Sequence, residues 1–176
     1  MPMPPWVGQL LTLTLTLSYW HQLGLAFLLG SFAVATLSDL RRLSSQREFL
    51  EIWLLFVLAV LAIDVYDAHY RAAVPWQVPA VKWGLIVVFS FFSLNSLGLR
   101  HAFFRLAVAD VAALAATASL LTPLLVVLFY LGAKLLSMLI GPMLRRGQFY
   151  PFMPVVSLAT VGVLVLAMLS AGHVVE

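Results

Sequence analysis

Apolar runs of ~18 residues, the length that crosses ~30 Å of hydrocarbon as a helix, recur along this chain with short polar loops between them. That segmentation restricts the fold severely. Inside a bilayer every backbone N–H and C=O must find a partner within the protein, so runs of this length form helices. About six such runs fit into the 176 residues. Of these residues 63% are hydrophobic and 10% charged, against ~45–50% and ~25% in soluble domains. The expected fold is all-α: a polytopic membrane helix bundle of about six transmembrane helices, integral to the cell membrane.

The formal charge of +3 is small, and its Arg and Lys residues flank apolar runs. Membrane lipids are therefore expected as neighbours, and nucleic acid is not. The chain contains no cysteine, which excludes disulfides, thiolate chemistry and Cys-based zinc sites. No basic region precedes the first apolar run, so no removable signal peptide is expected.

Residues 1–21 form an expected N-terminal extension, and residues 22–176 the six-span domain. The extension opens with MPMPP and continues as LLTLTLTLSYW, alternating with period two. An unpaired strand would leave its backbone unsatisfied in lipid. An interfacial helix or a membrane-embedded lead into the first span fits better, with Tyr19, Trp20, His21 and Gln22 as an interfacial belt.

Span one is expected over about Leu23 to Asp39. Span two begins after a capping box, Ser45-Gln-Arg-Glu48, and runs from about Glu51 to Tyr66. The loop DAHYRAAVPWQVP follows. Span three is expected over about Val81 to Leu97, and span four from about Leu106. A hairpin with Thr122 as N-cap and Pro123 at the first helical position opens span five, which ends at Gly141-Pro142. Span six covers about Met153 to Ser170.

The basic residues orient the spans. Seven arginines (Arg41, Arg42, Arg47, Arg100, Arg105, Arg145 and Arg146) flank the loops after spans one, three and five, and two basic residues, Arg71 and Lys82, fall in the others. The richer set belongs in the cytoplasm. Asp39 then lies at the cytoplasmic end of span one and Asp110 at the cytoplasmic entry of span four. At ~1.5 Å of rise per residue their depths differ by only a few ångström.

An ionised carboxylate within a span costs at least ~2.5 kcal/mol on insertion scales, so each acid is a functional hypothesis. Two carboxylates in contact do not both ionise cheaply and share one proton near neutrality. One activates a water as general base while the other donates to a carbonyl or a leaving amine. That chemistry hydrolyses peptide bonds. A structural role competes with it, above all for Asp39 beside Arg41 and Arg42. The alanines of span four (107, 109, 112, 113, 115, 116 and 118) suit a helix packed closely on several faces.

Three segments resemble the archaeal prepilin and preflagellin peptidases. SFAVATLSDLRRLSSQREFLEIWLL is similar to that family's first active-site segment, an apolar helix ending in Asp and followed by basic residues. RLAVADVAALAA stands where the family carries Gly-x-Gly-Asp, at the start of its fourth helix. RRGQFYPFMPVV resembles the basic, proline-bearing entry to its last helix. The similarity runs from about Gly24 to Leu166.

By this resemblance the chain is a six-span intramembrane aspartyl protease with Asp39 and Asp110 as catalytic dyad. Its substrate is the signal segment of a pilin-like, flagellin-like or other membrane-anchored precursor, cut on the cytoplasmic side. Ala107 and Ala109 replace both motif glycines. Bacterial members add a cysteine-bearing zinc region and N-methylate their product, which this chain has neither the cysteines nor the length to do. A non-proteolytic relative with a structural or partner-binding role, and a small transporter or proton-relay subunit, remain open alternatives.

Among other polar residues, Lys134 is expected to snorkel from span five toward the cytoplasmic headgroups, with a counter-charge to the acids as a second possibility. Asn95, with Ser93 and Ser96, stands near the cytoplasmic end of span three and within reach of a contributing role. Asp64, Asp67 and His69 lie at the outer end of span two, where solvation is the expected role and metal binding the less favoured one. The four histidines (21, 69, 101 and 173) are scattered over different loops and ends. No metal and no cofactor is expected.

Overall fold

The computed structural model describes residues 17–42, 47–71, 75–94, 97–98, 103–144 and 151–172. Six α-helices account for most of them: α1 (Tyr19–Arg42), α2 (Arg47–Tyr66), α3 (Gln77–Ser93), α4 (Val108–Ser119), α5 (Pro123–Leu144) and α6 (Met153–Gly172). A π-helical turn, Asp67–Arg71, extends α2. Among the described residues there are no strands beyond a single parallel bridge between Leu94 and Leu106.

Three helical stretches, Tyr19–Leu37, Phe49–Tyr70 and Pro123–Met143, are long and apolar enough to cross a membrane. The chain is therefore all-helical, with membrane-spanning character by length and composition. Helix α2 exposes Leu54, Leu55, Leu58 and Ile63, an apolar surface too continuous for water and suited to lipid tails.

Helix α4 is the centre of the bundle and packs against all five other helices. Its side chains explain this. Ala109, Ala112, Ala113, Ala116 and Ala118 are buried, and a methyl group lets neighbouring backbones approach from several directions at once. Its 12 residues extend only ~18 Å at helical rise, short of a bilayer core.

The boundaries differ from expectation where backbone groups found unforeseen partners. Helix α3 lies four residues earlier than the apolar run suggests. Pro79 is tolerated in its first turn, where the missing N–H has no intrahelical acceptor. Its last carbonyls are capped by the returning chain: Phe103 N donates to Phe92 O and Leu106 N to Ser93 O, both at 3.0 Å. Helix α1 starts at Tyr19, so the aromatic belt is its first turn and the helix runs through residues 21 and 22. Leu17, just before it, is buried and its carbonyl accepts from Gln22 Nε2 at 2.9 Å. Helix α5 continues through Pro142 to Leu144, so the bond that Pro142 does not donate to the Met138 carbonyl is lost in the last turn, where little helix remains to be disrupted. Its start at Pro123, with Val126 N donating to Thr122 O at 2.9 Å, is as the hairpin pattern predicts. The Ser45 capping box lies outside the described residues.

Helix directions follow from side-chain contacts. Gly24, near the start of α1, lies so close to the end of α4 that a Cβ there would stand 2.8 Å from Leu120 Cδ1. Helices α1 and α4 are therefore antiparallel. Thr36 Oγ1 and Ser157 Oγ meet at 3.1 Å, which makes α1 antiparallel to α6 as well. Trp53, fully buried, ties α2 to α1 by donating from Nε1 to Ser31 Oγ at 3.1 Å.

Candidate functional site

Asp39 occupies the last turn of α1 and Asp110 the first turn of α4. Because these helices run antiparallel and touch, both positions lie at one end of the bundle. Their depth can be read against α6. Thr36 is level with Ser157, so position 39, three residues further along the antiparallel helix, is level with about Pro154. Thr117 Oγ1 and Thr160 Oγ1 meet at 3.2 Å, so position 110, seven residues earlier on a helix parallel to α6, is level with about Met153. Read through α6 the two positions fall at a similar depth, and the direct Gly24–Leu120 contact between α1 and α4 sets them about five residues apart, so what they share is an end of the bundle. The Asp39 side chain lies outside the described residues. Asp110 is half-buried and stands where the helix's unpaired N–H groups and positive dipole end favour a carboxylate.

The alanines in place of the motif glycines sit comfortably. Ala107 is the N-cap residue with φ −68° and ψ 160°, an extended conformation open to any residue. Ala109 is helical and buried. Neither position requires a glycine for its backbone.

Lys134 reaches the same end of the bundle without reaching an acid in any contact described. Its Nζ donates to the carbonyl of Phe103 and lies 5.5 Å and 5.0 Å from the ring centres of Phe103 and Phe104. The ammonium thereby satisfies a backbone acceptor in the extended segment leading into α4 and gains two aromatic faces. Phe104 is buried and packs edge-on against Phe152, 5.2 Å between centroids, immediately before α6. The segment from Phe103 to Ala107 is held by α3, α5 and the start of α6 together. Asn95 lies outside the described residues.

A second polar cluster lies at the opposite end, around the outer-end acids of span two, and its tie to α3 has no counterpart in the sequence pattern. Lys82 is not a loop residue: it sits in α3 with 6% exposure, forms a salt bridge with Asp64 Oδ2 and donates to Ser119 O at 3.0 Å. Trp83 Nε1 donates to the same Asp64 oxygen at 2.8 Å. The pair joins α2, α3 and the end of α4. Asp64 is thus not simply solvated. Among the described residues no group of three or more His, Asp or Glu side chains is arranged to hold a metal ion. The available signal was Pro79, which marks a first helical turn and sets Lys82 about a turn deeper in the helix than a start at Val81 would. A cavity of about 490 Å³ opens beside the pair, with His21 and Asp67 among its lining residues.

Compared with models of protein families, with curated proteins and with solved structures, the chain matches none of them.

Proposed function

We propose that this protein is an intramembrane aspartyl endopeptidase of the prepilin-peptidase type, with Asp39 and Asp110 as its catalytic pair. The observation that carries the proposal is that these two positions share one end of antiparallel, touching helices. The resemblance of the segments around them to that family's active-site segments supports it independently. The substrate is the signal segment of a pilin- or flagellin-like precursor. It is cut at the arginine-rich end of the bundle, assigned to the cytoplasm by the excess of Arg over the opposite loops.

In this reading all six helices belong to the membrane domain. Helix α4 is short, yet it is enclosed by its neighbours, and non-helical backbone at membrane depth is tolerated when protein buries it. The extended Phe103–Ala107 segment completes its passage.

The reaction needs one proton shared between two carboxylates. The ionised one takes a proton from water as the water oxygen attacks the scissile carbonyl carbon. The protonated one gives its proton to the carbonyl oxygen. Collapse of the tetrahedral intermediate breaks the C–N bond, the leaving nitrogen takes up a proton, and the pair returns to its starting state.

A proton relay is less well supported. Between the two ends, the hydroxyls of Ser119, Ser157 and Thr160 each donate to a carbonyl of their own helix, Ala116, Met153 and Val156. With their protons committed to backbone carbonyls of their own helices, they do not form links in a proton path.

The test is cleavage of a pilin-type signal segment in liposomes. Wild type is expected to cut, and Asp39→Asn and Asp110→Asn are each expected to lose about 10²–10⁴-fold in rate while remaining folded. Equal cleavage by wild type and both variants contradicts the proposal, as does failure of wild type to cut any such segment.

A further inference from the structure

The extended segment that leads into α4 is bonded along one edge only. Leu106 forms a parallel bridge with Leu94 and donates its N–H to Ser93 O at 3.0 Å, so its backbone is turned toward the end of α3. Successive residues of a strand turn their N–H and C=O groups to opposite edges. Arg105 and Ala107, on either side of Leu106, therefore face away from α3. Among the described residues, the N–H and C=O of Arg105 and the N–H of Ala107 have no hydrogen-bond partner. The side chains follow the same period of two: Phe104 and Leu106 are buried, Arg105 and Ala107 exposed.

Open backbone groups in a membrane protein need water or a partner, because lipid tails offer neither donors nor acceptors. Here they have the form of a strand edge, and an extended peptide laid ~4.8 Å away would complete the ladder. The edge is preformed. Lys134 Nζ holds the Phe103 carbonyl, and Phe104 packs against Phe152, so little ordering remains to be done on binding. It also points at the acid. Ala107 is the N-cap of α4, and Asp110 lies in the first turn, three residues or ~4.5 Å of helical rise beyond the last open N–H.

We propose that this edge is the main-chain binding site of the substrate: the residues flanking the scissile bond add to Arg105–Ala107 as an extended strand, which brings that bond to Asp110. This role rests on the peptidase reading and supplies the means by which a peptide, not an intact helix, is presented to the acids. Arg105 and Ala107 are positioning residues here, acting through their backbone groups.

Ala107→Pro removes one donor from the edge and leaves the rest in place. Its φ of −68° is the value proline prefers, and its carbonyl still accepts from Val111 N. In cleavage of a pilin-type signal segment in liposomes, this variant is expected to raise KM about tenfold, the effect of one hydrogen bond, with kcat and thermal unfolding little changed. Ala107→Gly, which keeps the N–H, should retain the wild-type KM. An unchanged KM in Ala107→Pro overturns the proposal and leaves the peptidase reading standing. A second measurement needs no cleavage. Arg105→Cys, placed in the Asp39→Asn/Asp110→Asn protein, is the sole cysteine of the chain, and it is offered signal segments carrying single cysteines at successive positions. Strand pairing predicts disulfides at alternate positions. Crosslinks that recur with the 3.6-residue period of a helix docked intact overturn the proposal, as does the absence of any crosslink. Failure of wild type to cut overturns the peptidase reading, and the crosslinking pattern then decides the edge by itself.

Discussion

Lys82 and Asp64 form an ion pair that fastens α3 to α2, and the same ammonium reaches the Ser119 carbonyl at the end of α4. Removing one partner of a buried pair leaves the other charge without compensation, at a cost of about 3–5 kcal/mol. Lys82→Met is therefore expected to lower unfolding stability by that order. The double variant Lys82→Met/Asp64→Leu should recover most of the loss. Reversible unfolding in mixed micelles, run as a double-mutant cycle, checks both; additive losses would show that the two charges do not interact.

Lys134 fixes the chain just before Asp110 through the Phe103 carbonyl and two aromatic faces. Lys134→Met leaves that carbonyl without its donor, a loss of about 1–3 kcal/mol. Hydrogen exchange across Phe103–Ala107 should quicken while exchange in α6 stays unchanged. Under the peptidase reading kcat falls and KM changes little, because the catalytic position loosens and no substrate contact is lost. Unchanged exchange in that segment would contradict the role.

Ala107 and Ala109 stand where the resembling family carries glycine, and the backbone explains why alanine is accepted there. Ala107→Gly is expected to be nearly neutral. Ala109→Gly should cost about 0.5–1 kcal/mol, the usual penalty of glycine within a helix. Thermal unfolding of the two single variants distinguishes them. A stabilising Ala109→Gly would indicate strain that the helical geometry does not show.

The Thr117–Thr160 contact supports the register from which the depth of Asp110 follows. Thr117→Val and Thr160→Val should each cost about 0.6 kcal/mol, up to ~1.7, as is usual for interhelical hydrogen bonds in membrane proteins. The double variant should cost less than the sum. Strict additivity, measured by the same unfolding assay, would place the two hydroxyls out of contact.

Much of the helical order was legible in the sequence because apolar length, proline at a first turn and alanine-rich spacing are local signals. Pro123 opens α5 and the small residues of α4 put it at the centre, as their patterns imply. Helix α3 starts earlier than its apolar run because Pro79, which resembles a loop breaker, fits a first helical turn. The pairing of Lys82 with Asp64 is a tertiary fact that no periodicity encodes. The end of α3 is set by a non-local partner as well: the backbone N–H groups of Phe103 and Leu106 donate to its last carbonyls. For Asp39 and Asp110, placement on the same side could be counted from the flanking arginines, whereas their arrival at one end of touching helices depends on the packing of α1 against α4 and α6.

The absence of native cysteine allows the central claim, that positions 39 and 110 share one site, to be measured directly. Asp39→Cys/Asp110→Cys should form an intramolecular disulfide, or a bond through a short bifunctional thiol reagent, in membranes treated with mild oxidant. Asp39→Cys paired with Ser119→Cys, at the other end of α4, should not. Crosslinking of the first pair alone is the predicted result. No crosslink between 39 and 110 in protein that folds normally would contradict the account.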